Sequence, residues 1–510
     1  PIPKSADDNT IAGQRPIMLV EVIRKTWVAL IIHRVNACWN KYDILHTSQH
    51  GFRPSRSTDT ALMGLQTMFE QSSSSSSPLF LSSWDISKAF DSPSKNALRF
   101  SWTRLGVPTN VANFLVSLDE NGHTIVRTPY SHQLWKKKKY AGFPKGTTEA
   151  RALFFDALRG AGQGDVGSPL NWNALFDILL CALSTVKDNR FYTHGSSDRL
   201  YPVPDIAYAD DLLSGMSTLT GLQEKAKIVS AFSIIFGLDI AKSKLRSFVH
   251  SIHAEHSKPQ SFYIYTSGWK KQSVPILASG TLKSLGMLYD ISSEQLHKTQ
   301  YEATKLRAER SCNIIKRSRG SRSQLATVVS TCVLKRVEYV GKFSAWTKGQ
   351  MEDIERMFTQ TYKTLSHNLT TFPDALIYLP REVGGLGYPK LSDNIDSAKH
   401  SIQQRHLQHL AESITMNMDT LLYNGVVQSS QVPSSECGVT AYAPEVTRPD
   451  CWANSLIQFA AAGDLSLCRQ GPLPVRSSTS SIISAVRPSS QEQPWRFVTD
   501  RNISILGDLY

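Results

Sequence analysis

Two apolar segments of this chain run directly into carboxylates, and no other feature constrains its fold as tightly. Leu79 to Trp84 reads as a short buried strand with Asp85 at its end. Pro204 to Met216 reads as strand, tight turn, strand, and the turn holds Asp210 and Asp211. Adjacent acids buried beside apolar strands are costly unless positive charge neutralises them. A pair of Mg²⁺ ions, with Mn²⁺ as the alternative, meets that need, because Mg²⁺ takes one or two carboxylates together with phosphate oxygens and water. Two such ions about 3.5–4 Å apart hold the attacking and leaving oxygens of an in-line phosphoryl displacement. The plainer reading is structural. Asp favours turns and tolerates unusual backbone angles, so an Asp-Asp turn decides nothing by itself.

The segments around these acids give the organisation. Within residues 15 to 39, Val20, Ile23, Trp27, Leu30 and Ile31 recur at spacings of three and four, which predicts a helix with that stripe as its apolar face. Gly51 to Thr58 is a loop rich in Gly, Pro, Ser and Arg, and a helix follows from Asp59, as its cap, to Phe69. The serine run Ser72 to Ser77 reads as a flexible surface loop. Further helices are predicted over Ser94 to Leu105, Pro169 to Leu183 and Gly221 to Phe236, with Gly106 and Gly237 ending the first and last. Gly122 to Gly142 alternates polar and apolar residues and predicts a hairpin with Lys136, Lys137, Lys138 and Lys139 at an exposed tip. Trp269, Lys270 and Lys271 offer an aromatic and two bases, with core packing the expectation for the ring. Beyond about residue 290 the pattern is helical and basic, and beyond about 425 it weakens into Ser/Pro-rich segments with no nameable chemistry.

Composition narrows the partners. A chain of 510 residues suits two to four domains, and its 56 Lys and Arg against 43 acids leave a net charge of +13, which suits a polyanion. The seven cysteines include no C-x-x-C pair, which argues against a disulfide scaffold or zinc knuckle and fits a reducing intracellular compartment, nucleus or cytoplasm. No apolar run approaches the roughly 18 residues that a membrane span needs, so no membrane partner is expected.

Several motifs in order resemble those of reverse transcriptases, and most closely those of non-LTR (LINE-like) retrotransposons. Pro1-Ile2-Pro3-Lys4 with Arg15-Pro16-Ile17 resembles the family's opening motif, and Gly51 to Thr58 its G-F-R-x-x-R-S-T segment. Asp85-Ile86-Ser87-Lys88-Ala89-Phe90-Asp91 matches D-x-x-K-A-F-D. Gln163, Gly164, Asp165, Ser168 and Pro169 resemble the Gln-Gly-Asp segment, and Tyr208-Ala209-Asp210-Asp211 the Y-A-D-D box. Gly237 to Ile240 with Lys244, then Leu285-Gly286 with Asp290, resemble the following motif and the primer grip. Gly384 to Gly387 resembles a segment beyond the thumb. Two departures stand out: Val166-Gly167 where Pro usually follows Gln-Gly-Asp, and Ala241 where Asn is common.

The resemblance implies an α+β right-hand polymerase with an antiparallel palm sheet and a helical thumb and C-terminal region. Residues 1–78 would be partial fingers, 79–290 palm with interleaved fingers elements at about 100–160, 291–370 thumb, and 371–510 a region of unknown role. The chain reads as an amino-terminally truncated piece of a longer polyprotein. Its implied activity is RNA-directed DNA polymerisation, in which a DNA primer 3′-hydroxyl on an RNA template attacks the α-phosphate of a dNTP. Asp85 and Asp210 would hold the metals and Asp211 would share that task. Phe90 would sit under the sugar and exclude a 2′-hydroxyl or else be an ordinary core aromatic, Gln163 would touch the nucleotide, and Gly164 would allow close backbone approach or else be a plain turn glycine. Arg53 and Arg56 would reach the triphosphate or else lie in a solvated loop. Lys244 would give a proton to the leaving pyrophosphate or else be a surface lysine. Leu285, Gly286, Lys136 and Lys137 would contact nucleic acid, while Asp91 and Asp165 suit structural roles. The rivals are a catalytically inactive nucleic-acid-binding relic, an intron maturase-like RNA-binding protein, and an RNA-copying viral polymerase, for which a polar residue would be expected in place of Phe90.

Overall fold

The computed structural model describes residues 19–120, 159–194, 200–251, 259–291 and 295–407, apart from 163, together with short pieces outside these ranges. Helix α1 spans Val22–Lys41 and α2 spans Thr58–Ser75. Strand β1 is Leu79–Trp84 and β2 is Ile86–Ser87, followed by α3, Lys95–Arg104, α4, Thr109–Glu120, and α5, Ser168–Leu183. The acidic hairpin is β3, Ile206–Tyr208, and β4, Asp211–Met216; α6 runs Leu219–Phe236. Then come β5, Asp239–Ile240, and β6, Arg246–His250. Two hairpins follow: β7, Gln260–Thr266, with β8, Lys270–Ile276, and β9, Thr281–Ser284, with β10, Met287–Asp290. The rest is helical: α7 is Lys298–Arg317, α8 is Arg322–Val328, α9 is Lys335–Gly341, α10 is Lys348–Leu365 and α11 is Leu391–Leu407. A π-helical turn, Val329–Leu334, joins α8 to α9.

A four-stranded antiparallel sheet in the order β6-β1-β4-β3 lies at the centre of the described residues. Alternation along its strands explains why it is covered on both faces. Leu79, Leu81, Ile206 and Leu213 join a core with α2 and the helices beyond residue 298, while Phe80, Trp84, Ala207 and Leu212 join one with α5 and α6. Inside the sheet the paired Ser82 and Ser247 satisfy one another through their hydroxyls at 2.8 Å.

Four expectations need correction. The apolar stripe of α1 faces outward: Ile23 is 74% and Trp27 59% exposed, and Leu30 is exposed too. Arg24 sets this orientation by reaching the Leu118 carbonyl, Asp119 and Asp165, which turns Val28, Ile32, Val35 and Trp39 inward. The helix after the Gly/Arg loop is capped by Ser57, not Asp59, with Thr60 completing a reciprocal box. Asp59 instead lies buried. Desolvation raises its carboxyl, but Lys342 and Arg405 outweigh that and hold it below the usual carboxylate range. The serine run is no loop over Ser72–Ser75, where it is the last turn of α2. Ser72 is buried and donates to the Ser77 carbonyl at 2.7 Å, and Ser76 ends the helix in the left-handed region. Finally, Trp269 is no core residue but is 62% exposed.

The predicted hairpin at 122–142 lies almost wholly outside the described residues, but His123–Ile125 pairs with Phe154–Asp156, a partner further along the chain. The C-terminal residues Met418, Leu421, Trp452 and Leu456 share a core with α2 and α7 to α11. The Trp452 amide donates to Glu70 at 2.7 Å, and its indole donates to the Lys342 carbonyl at 2.7 Å. Among the described residues no helix is long and apolar enough to cross a membrane, and the described cysteines are free thiols.

Candidate active site

Strand register brings the acids together. Trp84 pairs with Leu212, so one step further Asp85 stands beside Asp211. Tyr208 pairs with Asp211, which leaves Ala209 and Asp210 as a two-residue turn. The chain then returns to Asp85. Strand β5 pairs with β2, the Ala241 amide donates to the Asp85 carbonyl at 2.8 Å, and a turn closed by Lys244 onto the Ala241 carbonyl leads into β6. That turn sets the Lys244 ammonium 2.8 Å from Asp85 Oδ2, although most of the lysine is exposed.

The electrostatics call for more positive charge. Desolvation and then repulsion from Asp210 and Asp85 push the Asp211 carboxyl up to about 6, against the pull of Lys244. Because Asp211 keeps an exposed edge, the repulsion is the part that a bound cation would relieve. The Lys244 ammonium already stands where a cation would be welcome, and the donors are hard carboxylate oxygens, so the residues present fit Mg²⁺. Among the described residues no three His, Cys, Asp or Glu side chains are grouped so as to hold an ion by themselves. An ion here would complete its shell with phosphate and water, as Mg²⁺ prefers.

The acid turn is clamped from behind by residues that the motifs did not single out. Ala209 sits at φ +56°, in the left-handed region that such turns demand and that costs an L-residue about 1–2 kcal/mol. The buried Gln49 side chain holds it there. Its Oε1 accepts from the Ala209 amide at 3.0 Å and from the Gly51 amide at 2.9 Å, and its Nε2 donates to the Ala209 carbonyl at 3.2 Å. The Trp172 indole donates to the same carbonyl at 2.9 Å. The Ala207 amide donates to Ser48 and the His50 amide donates to Ala207, adding this segment to the sheet as a parallel bridge. Gly51 must be glycine for packing reasons: a Cβ would lie 2.4 Å from the Ala209 nitrogen. Asn173 fixes Gly51 by donating to its carbonyl at 3.0 Å.

Phe90 lies beside this turn. Its ring centroid is 5.4 Å from Trp172 and 6.5 Å from Phe52. Two backbone bonds sew its loop to the Gln-Gly-Asp segment: Ala161 donates to Phe90 at 2.7 Å and Gly160 to Pro93 at 2.8 Å. At Gly160, with φ +84°, a Cβ would stand 2.8 Å from Asp91 Cα, so only glycine allows that approach. Gly164 is exposed at φ +103°; Gln163 lies outside the described residues. Asp165 accepts from Arg24 at 2.9 Å and from the Gly167 amide at 3.1 Å, a bracing role.

Other expected contacts fall elsewhere. Arg53 is buried, not solvated, donating to the Leu45 carbonyl at 3.2 Å and the His46 carbonyl at 2.9 Å and pairing with Asp43. Arg56 donates to the Thr47 carbonyl, and burial and then the Arg53 charge push it down to about 10. Arg53 thus turns both its Nη donors into the protein, and Arg56 its Nη1. Leu285 and Gly286 form the β9–β10 turn at φ +46° and +86°, and the Tyr339 hydroxyl of α9 donates to the Leu285 carbonyl at 2.9 Å. Lys136 and Lys137 lie outside the described residues. The Gln49–Trp172 clamp was missed because neither residue carries a charge or a metal-binding group. The faint signal was Gln49 two places before Gly51-Phe52.

The sequence pattern of the reverse transcriptase (RNA-dependent DNA polymerase) family matches residues 2–287, more than half of the chain. A Pol polyprotein of the type-1 retrotransposable element R2 from Popillia japonica is 25% identical over 212 residues, covering 42% of this chain and 26% of that protein. The type-2 element R2DM polyprotein of Drosophila melanogaster is 23% identical over 300 residues, covering 55% of this chain and 25% of that protein. The chain thus spans about a quarter of the length of these curated relatives. Among solved structures, telomerase from Candida tropicalis with a telomeric RNA fragment is 12% identical with TM-score 0.36, over 78% of this chain and 56% of that one. The Candida albicans enzyme is 13% identical with TM-score 0.34, over 77% and 56%. The α+β architecture with its antiparallel sheet and the matched pattern agree with the motif reading: the chain belongs to the reverse transcriptase family, with the non-LTR resemblance carried by its retrotransposon relatives.

Proposed function

We propose that the chain is the polymerase region of a retrotransposon protein and extends a DNA primer on an RNA template with dNTPs. The observation that carries this reading is the meeting of Asp85, Asp210 and Asp211 at adjacent strand ends with the Lys244 ammonium on Asp85. Asp85 and Asp210 would hold two Mg²⁺ ions, with Asp211 in support. Bound there, the ions supply positive charge to the attacking and leaving oxygens of the displacement. The primer 3′-hydroxyl gives up its proton to water as its oxygen bonds to the α-phosphorus, the bond from that phosphorus to the α–β bridging oxygen breaks, and pyrophosphate leaves. Lys244 Nζ is the proton donor for that pyrophosphate, placed by the turn that starts at Ala241.

Phe90, its ring against Trp172, forms the floor under the sugar, and the loop of Gly164, sewn to it through Gly160 and Ala161, faces the nucleotide; Gln163 is assigned to the nucleotide by its motif. Arg53 and Arg56 serve this site by bracing the loop that carries Gln49, not by gripping phosphate. On this reading residues 79–290 are palm with fingers elements at about 100–160, and the helices from 291 to 370 are the thumb, whose Tyr339 steadies the Leu285-Gly286 turn. The test is dNTP incorporation on an RNA template and DNA primer with Mg²⁺, beside Asp210→Asn. The expected result is extension by the wild-type chain only, with template–primer binding kept in both. Extension by Asp210→Asn at the wild-type rate would refute the assignment.

A further inference from the structure

We propose that the outer face of the β7–β8 hairpin is a binding site for single-stranded nucleic acid. Bases would stack on Trp269, Tyr265 and Tyr263, and Lys271 would meet the phosphates. The hairpin divides its side chains cleanly. Phe262, Ile264, Val274 and Ile276 are buried in the core that holds Trp84, which turns the alternate positions outward. Tyr263 is 40% exposed and Tyr265 is partly so, opposite Lys271 in the register. The Lys271 ammonium lies 3.8 Å from the Tyr263 ring centroid, and the Tyr265 and Trp269 centroids are 6.3 Å apart. Trp269 stands at the tip, in the left-handed region at φ +58°, turned into solvent.

The platform is rigid and well placed. Gln223 of α6 brackets the Tyr263 backbone, accepting from its amide at 2.8 Å and donating to its carbonyl at 2.9 Å. At the tip, Ser267 Oγ donates to Asp239 Oδ1 at 2.9 Å, and Asp239 pairs with Ser87, two residues beyond Asp85. The aromatic row is thus tied to the strand that leaves the acid site. Charge selects the occupant: Lys271 lies on the outer face, and from Gln260 to Ile276 there is no acidic residue. Aromatic rings with an ammonium group among them suit a strand that offers unpaired bases and phosphates together.

The inference adds a strand-holding site to the proposed polymerase reading and can fail while that reading stands. The test measures binding of a short fluorescein-labelled oligouridine at several salt concentrations. Trp269→Ala is expected to weaken binding about 5- to 150-fold, and Trp269→Phe to restore most of it. Lys271→Gln is expected to flatten the salt slope by about 0.7. Unfolding midpoints near wild type would show that the tip variants fold, and Asp210→Asn, which tests polymerisation, should bind the oligouridine like wild type. Unchanged affinity and salt slope in the hairpin variants, or recovery with neither Trp nor Phe required, would overturn the proposal.

Discussion

Replacing Gln49 by Ala tests the most specific claim about how this site is built. The substitution removes the acceptor for two amide protons, those of Ala209 and Gly51, and one donor to the Ala209 carbonyl. The carbonyl keeps Trp172, so the loss falls on the two amides. A buried unsatisfied group costs about 1–3 kcal/mol, which sets a ceiling of roughly 6 kcal/mol for the pair, and water entering the space brings the expectation to about 2–4 kcal/mol. The clamp also holds Ala209 in the left-handed region against a preference of about 1–2 kcal/mol. Once released, the turn relaxes and carries Asp210 with it. A displacement of about 1 Å in a positioned group can cost on the order of a hundredfold in rate. Gln49→Ala should therefore unfold at lower denaturant and, under conditions where it remains folded, lose at least about tenfold in the maximal rate of single-nucleotide extension, with little change in template–primer affinity. A variant as stable and as fast as wild type would refute the clamp.

Three further outcomes follow from the same structure. Gly51→Ala should abolish extension while leaving the helices folded, because its Cβ would meet the Ala209 nitrogen at 2.4 Å and only backbone movement relieves that; circular dichroism beside extension checks it. Trp452→Ala should cost about 3–5 kcal/mol of stability by emptying a fully buried site between α2 and the C-terminal helices, and a wild-type unfolding curve would contradict that packing. Burial holds His297 at about 4 rather than 6.5, so between those values the unfolded chain binds a proton that the folded chain does not. Stability from this group is complete above pH 6.5 and is lost as pH falls toward 4, on the order of 3 kcal/mol in all, and unfolding of His297→Gln should show a shallower acid slope.

The acid site was legible because its parts are local. An apolar strand ending in Asp85 and a hairpin turning at Asp210-Asp211 need only strand periodicity and register to meet. The orientation of α1 was not legible, since its apolar stripe looks like a buried face, and the facing is settled by Arg24 finding Asp119 and Asp165 far along the chain. The serine run misled for a related reason. Serine is a poor helix former by itself, but Ser72 is buried and reaches the Ser77 and His250 carbonyls, which anchors the end of the helix, while Ser73 to Ser75 are exposed. Gln49 was invisible because a neutral amide announces no chemistry; it matters only once Ala209 is seen beside it. The alternation of Phe262 and Ile264 with Tyr263 and Tyr265 was readable as a two-faced strand, and it would have placed Trp269 at an exposed tip.

The most direct test of the central claim is to count Mn²⁺ ions by electron paramagnetic resonance, using the chain bound to template, a primer lacking its 3′-hydroxyl, and the next dNTP. The account predicts two ions in the wild-type complex and fewer in Asp85→Asn and Asp210→Asn, with template–primer still bound. Two ions retained in both variants would contradict it and move the metal site away from these carboxylates.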